Sequence, residues 1–105
     1  MNGYAFHPEA EIDLDEIWEY SAAENLSAAD SVISDIRHTL ENLVGFPHQG
    51  NRRPDLTGRP LRFKQVRNYL IAYAPDEKPL WVIAIMHGHR SPRVMAAILR
   101  GREER

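Results

Sequence analysis

The chain contains no cysteine, which closes off both a disulfide framework and thiol chemistry. It also lacks any apolar run near the ~18 residues of a membrane-spanning helix, so no membrane partner is expected. The opening stretch, MNGYAFHPEAE, has no basic patch leading into an apolar block. No secretory signal is therefore expected, and a cytoplasmic location is. Basic residues are nearly missing from the first half: residues 1–50 hold ten acids and one base, Arg37. Residues 51–105 hold twelve bases and five acids, so the halves carry −9 and +7 within a chain of net −2. Such a split implies either two faces of opposite potential or acidic helices drawn onto a basic sheet. Repeats and low-complexity segments are absent, and 105 residues suit a single domain, 1–105, around one core.

What is present reads as alternating elements. Tyr4-Ala5-Phe6 predicts a short strand. Pro8 suits the first turn of a helix, and Glu9, Glu11 and Asp13 suit its positive end. Ala10, Leu14, Ile17, Trp18 and Ser21 recur at helical spacing and predict one buried stripe. Ser27-Ala28-Ala29-Asp30 has the form of a capping box. Ala29, Val32, Ile33, Ile36, Leu40 and Leu43 then predict a second amphipathic helix, stopped by Gly45 and Pro47. The short link through Asn25 implies an antiparallel helical hairpin.

Residues 46–60 collect Pro47, Gly50, Pro54, Gly58 and Pro60 into a turn-rich loop, a length that tends to be functional. Leu61 and Phe63 alternate with Arg62 and Lys64 and predict a strand. Tyr69, Ile71 and Tyr73, then Ile83, Ile85 and His87, alternate in two further strands around a turn from Pro75 to Pro79. Ser91-Pro92 predicts the start of a last helix with Val94, Met95, Ile98 and Leu99 inward, and Gly101 to Arg105 is expected to fray. The order β-α-α-β-β-β-α is an α+β fold, with the helical hairpin packed on a mainly antiparallel four-stranded sheet. The helical stripes are expected to meet Leu61, Phe63, Ile71, Tyr73, Ile83 and Ile85 across one core.

The last strand carries His87, His89 and Arg90 to one end of the sheet. His-x-His could set two imidazoles on one side of an extended strand, but His7, His38 and His48 complete no recognisable ligand motif. No metal and no cofactor are expected. His87 reads as a core-edge histidine satisfied by a backbone carbonyl, with His89 and Arg90 exposed. A nuclease would need a base, an acid and cations around phosphate. Arg59, Arg62, Lys64, Arg67 and Arg90 offer the charge, but the histidines have no tyrosine or carboxylate partner at a recognisable spacing. No catalytic residue is assigned.

Gly58-Arg59-Pro60, Tyr69-Leu70-Ile71-Ala72-Tyr73 and Ile83-Ala84-Ile85-Met86-His87-Gly88-His89-Arg90, in that order, resemble the RelE/ParE superfamily of type II toxins. Phe6-His7-Pro8-Glu9-Ala10 leading into Asp13 to Tyr20 extends the resemblance, which runs from Tyr4 to about Leu99. It implies the same α+β arrangement. In the RelE branch, ribosome-dependent mRNA endoribonucleases, a tyrosine or histidine near the C-terminus completes the site. Here Ser-Pro-Arg-Val-Met-Ala-Ala-Ile follows Arg90 with no tyrosine, and the overall acidity suits ribosomal RNA poorly. The resemblance is therefore to the ParE branch, which implies inhibition of DNA gyrase. A mRNA endoribonuclease, or a non-toxic homologue that only binds its partner, is the alternative. The resemblance further implies a cognate ParD-like antitoxin with a ribbon-helix-helix N-terminus and a tail wrapping the toxin, with operator DNA reached only through that antitoxin. Candidates for toxicity or target binding are His87, His89, Arg90, Arg93, Arg59 and Arg62. Candidates for antitoxin binding are Trp18, Ile33, Arg67 and Trp81.

Overall fold

A computed structural model describes residues 3–102. The order of elements is β1 (Tyr4–Phe6), α1 (Pro8–Ala22), α2 (Leu26–Gly45), β2 (Arg62–Val66), β3 (Tyr69–Ala74), β4 (Leu80–His87) and α3 (Pro92–Arg100). It is the predicted β-α-α-β-β-β-α order. The four strands lie in the sequence β1-β4-β3-β2; β1 runs parallel to β4 and the other pairs are antiparallel.

Local chemistry sets the helix ends. The His7 imidazole accepts from the Glu9 amide at 3.0 Å, and the His7 amide donates to the Val82 carbonyl at 2.8 Å. One residue thus closes the β1–β4 ladder and caps α1. α2 starts earlier than the capping-box pattern suggests. Its cap is Asn25, whose side chain accepts from the Ala28 amide at 2.6 Å, and Ser27 is already inside the helix. Asn25 is extended, as an N-cap must be, so it takes the role before Ser27 can. Ser91 caps α3 through the Val94 amide.

The single core becomes two. Ala10, Leu14, Ile17, Val32, Ile36, Leu40 and Leu43 pack on Tyr4, Tyr69, Ile71, Tyr73, Leu80, Val82 and Ile85. Leu56, Leu61, Phe63, Ala72, Ala74, Ile83, Ala84, Met86, Met95 and Leu99 form a second cluster on the opposite face, under α3 and the long loop. Leu61, Phe63 and Ile83 therefore face away from the helical hairpin, contrary to the expectation. For Ile83 the cause is a register shift: Tyr73 pairs with Val82 but Ala72 pairs with Ala84. The extra residue is a β-bulge, and it reverses which side chains face which layer.

Two residues expected inside are at the surface. Trp18 is 37% exposed at the edge of the α1 stripe, its Nε1 donating to Asp30 at 3.1 Å. Val94 is exposed because α3 buries only Met95 and Leu99. Arg102 is not frayed but held by Asp13, while Glu103, Glu104 and Arg105 lie outside the described residues. The long loop is tied down by Tyr73, whose hydroxyl donates to the Pro47 carbonyl at 2.7 Å and accepts from the Gly50 amide at 3.0 Å. Among the described residues, no helix is long and apolar enough to cross a membrane.

Candidate functional site

β1 stops short of the second half of β4, and the candidate site is built around the gap this leaves in the sheet edge. β1 covers β4 only at Leu80–Val82. Beyond Val82, the Ile83 carbonyl and the Ile85 amide turn outward with no strand to meet them. Side chains meet them instead. The Asp13 carboxylate accepts from the Ile85 amide at 2.9 Å, and Arg102 Nη1 donates to the Ile83 carbonyl at 3.1 Å. The two side chains also pair with each other, at 2.5 Å and 3.0 Å, and are only 14% and 11% exposed. Hydrogen bonding to Asp13 holds the Arg102 guanidinium protonated more firmly than an ordinary arginine. α1, the bulged strand and the end of α3 are clasped at this point.

Below the clasp is an open cleft of about 410 Å³, lined by Glu16 and Tyr20 of α1, His87 at the end of β4, Arg90, and Ile98 of α3. His87 is half-buried, and ring packing holds it rather than the expected backbone carbonyl. Tyr69 lies at 5.0 Å between centroids, His89 at 5.2 Å and Tyr20 edge-on at 5.9 Å. Burial lowers its affinity for a proton, and the nearby His89 and Arg90 lower it further. A proton NMR titration should therefore place the His87 midpoint below that of an ordinary histidine, and His89→Ala should move it upward. A midpoint indifferent to His89 would refute this packing.

The turn Gly88-His89-Arg90 separates that cleft from a second one. His89 lines the second, of about 290 Å³, with Arg53, Gln65, Asn68 and Leu70. The glycine fits a close approach here: its amide donates to the Asn68 carbonyl at 2.7 Å, and a Cβ would sit a tight 3.3 Å from that oxygen. The two imidazoles are thus neighbours that open into different clefts. Among the described residues, no three of His, Asp, Glu or Cys are grouped to hold a metal ion.

Of the other cationic candidates, Arg59 donates to the Leu99 carbonyl at 3.1 Å and caps the C-terminal end of α3. Arg62 donates to the His48 and Gly50 carbonyls and pins the loop. Arg93 is exposed on α3.

The profile of the family described as ParE toxin of type II toxin-antitoxin system, parDE, matches residues 4–92. The chain belongs to the ParE toxin family. None of the curated proteins compared with it matches it. Membership makes this a toxin domain with an antitoxin partner.

The ParE-family residues expected to meet that partner are dispersed in the structure. Trp18 and Ile33 share the hairpin surface, Ile33 half-buried in a shallow groove with Asp30, Arg37 and Glu41. Arg67 is at the β2–β3 turn, in a left-handed conformation at φ 53°, and pairs with Asp35 at 2.6 Å. Trp81 packs against the second core, on the far face of the sheet. The sequence reading missed Asp13, Arg102 and Tyr20, the last 69% exposed at the cleft mouth. Asp13 and Arg102 are 89 residues apart, and no local pattern links them.

Proposed function

We propose that this ParE-family toxin is active, that a ParD-like antitoxin neutralises it, and that its target is DNA gyrase, engaged through the Gly88-His89-Arg90 turn and α3. The observation that carries the reading is the divergence of polar groups at the sheet end. His87 and His89 open into different clefts, and the Tyr73 hydroxyl is committed to the loop backbone. Acid–base chemistry on RNA needs such groups to converge on one phosphate. A docking surface does not.

The antitoxin surface is the helical hairpin. At about 100° per residue, Leu26, Ile33, Arg37 and Val44 share one side of α2. Leu26 is 63% exposed and Val44 37% exposed, an apolar strip suited to an amphipathic tail. The ribbon-helix-helix head of that antitoxin would carry operator binding.

Two measurements test the target. Purified toxin should inhibit gyrase supercoiling, and inducible expression should raise a DNA-damage response that co-expressed antitoxin suppresses. Arg90→Ala should weaken inhibition about tenfold, the equivalent of ~1.4 kcal/mol. Its thermal midpoint should barely move, because Arg90 is exposed. Full toxicity at normal stability would discard Arg90. Site-specific mRNA cleavage on ribosomes would place the chain with the endoribonucleases, and harmless overexpression would mark it as a partner-binding homologue.

A further inference from the structure

We infer that the outer face of α3, with the turn leading into it, binds the phosphate backbone of duplex DNA without regard to sequence. The inference goes beyond the gyrase reading and does not depend on it.

α3 contains no acidic residue from Pro92 to Arg100. It buries Met95 and Leu99 and leaves Arg93, Ala97 and Arg100 exposed. Seven residues are close to two full turns, so Arg93 and Arg100 project from the same side, roughly 10 Å apart along the axis. Ala96 and Ala97 lie between them and carry only methyl groups, so a rigid surface can come close to the helix. Arg90 precedes the helix and is exposed. Arg59 extends the patch from the loop: it lines a cleft of about 370 Å³ with Arg100, and it answers the Leu99 carbonyl at the negative end of the helix.

These cations are available. Among the described residues, Arg53, Arg67 and Arg102 each sit in an ion pair, whereas Arg90, Arg93 and Arg100 sit in none. Asp55, the acid nearest the patch in the loop, is already bound by Arg53 at 2.8 Å. Most acids of α1 and α2 belong to the hairpin on the other side of the sheet, while Glu16 of α1 reaches the cleft that Arg90 also lines. The field is therefore directional: it repels a polyanion from the hairpin and turns α3 toward it.

The strip between the arginines offers no apolar anchor, so on this one flank of α3 a phosphate backbone fits better than the centre of a protein interface. Stable protein interfaces are centred on desolvated aromatic or aliphatic anchors. Val94, the exposed apolar residue of α3, points to another flank of the helix, and the strip between the arginines is alanine. Fixed cations set on a smooth small-residue surface are what a phosphate backbone needs for positioning.

The test uses the purified free toxin and a fluorescein-labelled duplex of random sequence, about 20 base pairs long. Fluorescence anisotropy is followed from about 50 to 200 mM salt. Three phosphate contacts predict a log–log slope near −2.7, or a roughly 40-fold loss across that range. Arg93→Gln with Arg100→Gln should reduce the slope by about 1.8, since two contacts go. Arg93→Lys with Arg100→Lys should keep it, which separates loss of charge from loss of fold. Arg37→Gln, on the acidic layer, should bind as the parent does. An undetectable parent affinity at the lowest salt, or a slope unmoved by the double glutamine variant, would overturn the inference. So would polyglutamate competing as well as unlabelled DNA, because it would assign the patch to an acidic protein. Gyrase inhibition with no DNA binding would refute this inference and leave the target reading standing; DNA binding without gyrase inhibition would do the reverse.

Discussion

Asp13→Ala should be among the most damaging single changes in the molecule, lowering stability by about 3–5 kcal/mol. The substitution removes little apolar surface, so the loss is electrostatic. It leaves the Arg102 guanidinium in a site only 11% exposed with its carboxylate gone. It also leaves the Ile85 amide, which lies beyond the reach of β1, without its acceptor. A buried donor with no partner costs about 1–3 kcal/mol by itself, and a buried unpaired charge costs more. Against the ~5–15 kcal/mol typical of a domain, the variant sits near the folding threshold, and its thermal midpoint should fall by more than about 10 °C. Asp13→Leu combined with Arg102→Leu should recover part of that loss, because no charge is then stranded. The recovery will be incomplete, since neither leucine can bond the Ile83 carbonyl or the Ile85 amide. A midpoint within about 2 °C of the parent for Asp13→Ala would show that water already fills this clasp.

How much of this was legible beforehand follows from the range of each interaction. Element order was readable because it depends on local periodicity: the stripe Ala10, Leu14, Ile17 and the alternation Tyr69, Ile71, Tyr73 both survive intact in the hairpin-side core. The facing of β4 was not readable. Leu80 to Met86 is apolar throughout, so a period of two has no polar residue to fix its phase. One inserted residue at the bulge then sends Ile83 to one layer and Ile85 to the other. The second core was hidden for a related reason. Arg62 pairs with Tyr73, so the polar side of β2 lies on the helix side, at the sheet edge, and its apolar side serves the far layer. At the site, His87, His89 and Arg90 were legible because they are polar residues bunched within four positions at the end of an apolar strand. The clasp that supports them was not, because its halves come from opposite ends of the chain.

Division of the interior into two cores has a measurable consequence. Leu40→Ala and Leu99→Ala should each cost about 2–5 kcal/mol, since both side chains are essentially fully buried. Leu40 lies under the helical hairpin and Leu99 on the other side of the sheet. Their combined loss would approach the whole stability of the domain, so coupling is better read from gentler changes. Ile71→Val removes one methylene from the hairpin-side core and Ile83→Val one from the α3-side core, each costing about 0.5–1.5 kcal/mol. Because the two pack in separate cores, the pair should add within about 0.5 kcal/mol in urea denaturation. Ile71→Val with Ile36→Val, which share a core, should depart from additivity by more, as the cavities relax together. Strong coupling between Ile71 and Ile83, with none between Ile71 and Ile36, would contradict the division. It would mean that the sheet transmits packing changes across its thickness, and that the hairpin and α3 surfaces respond to each other.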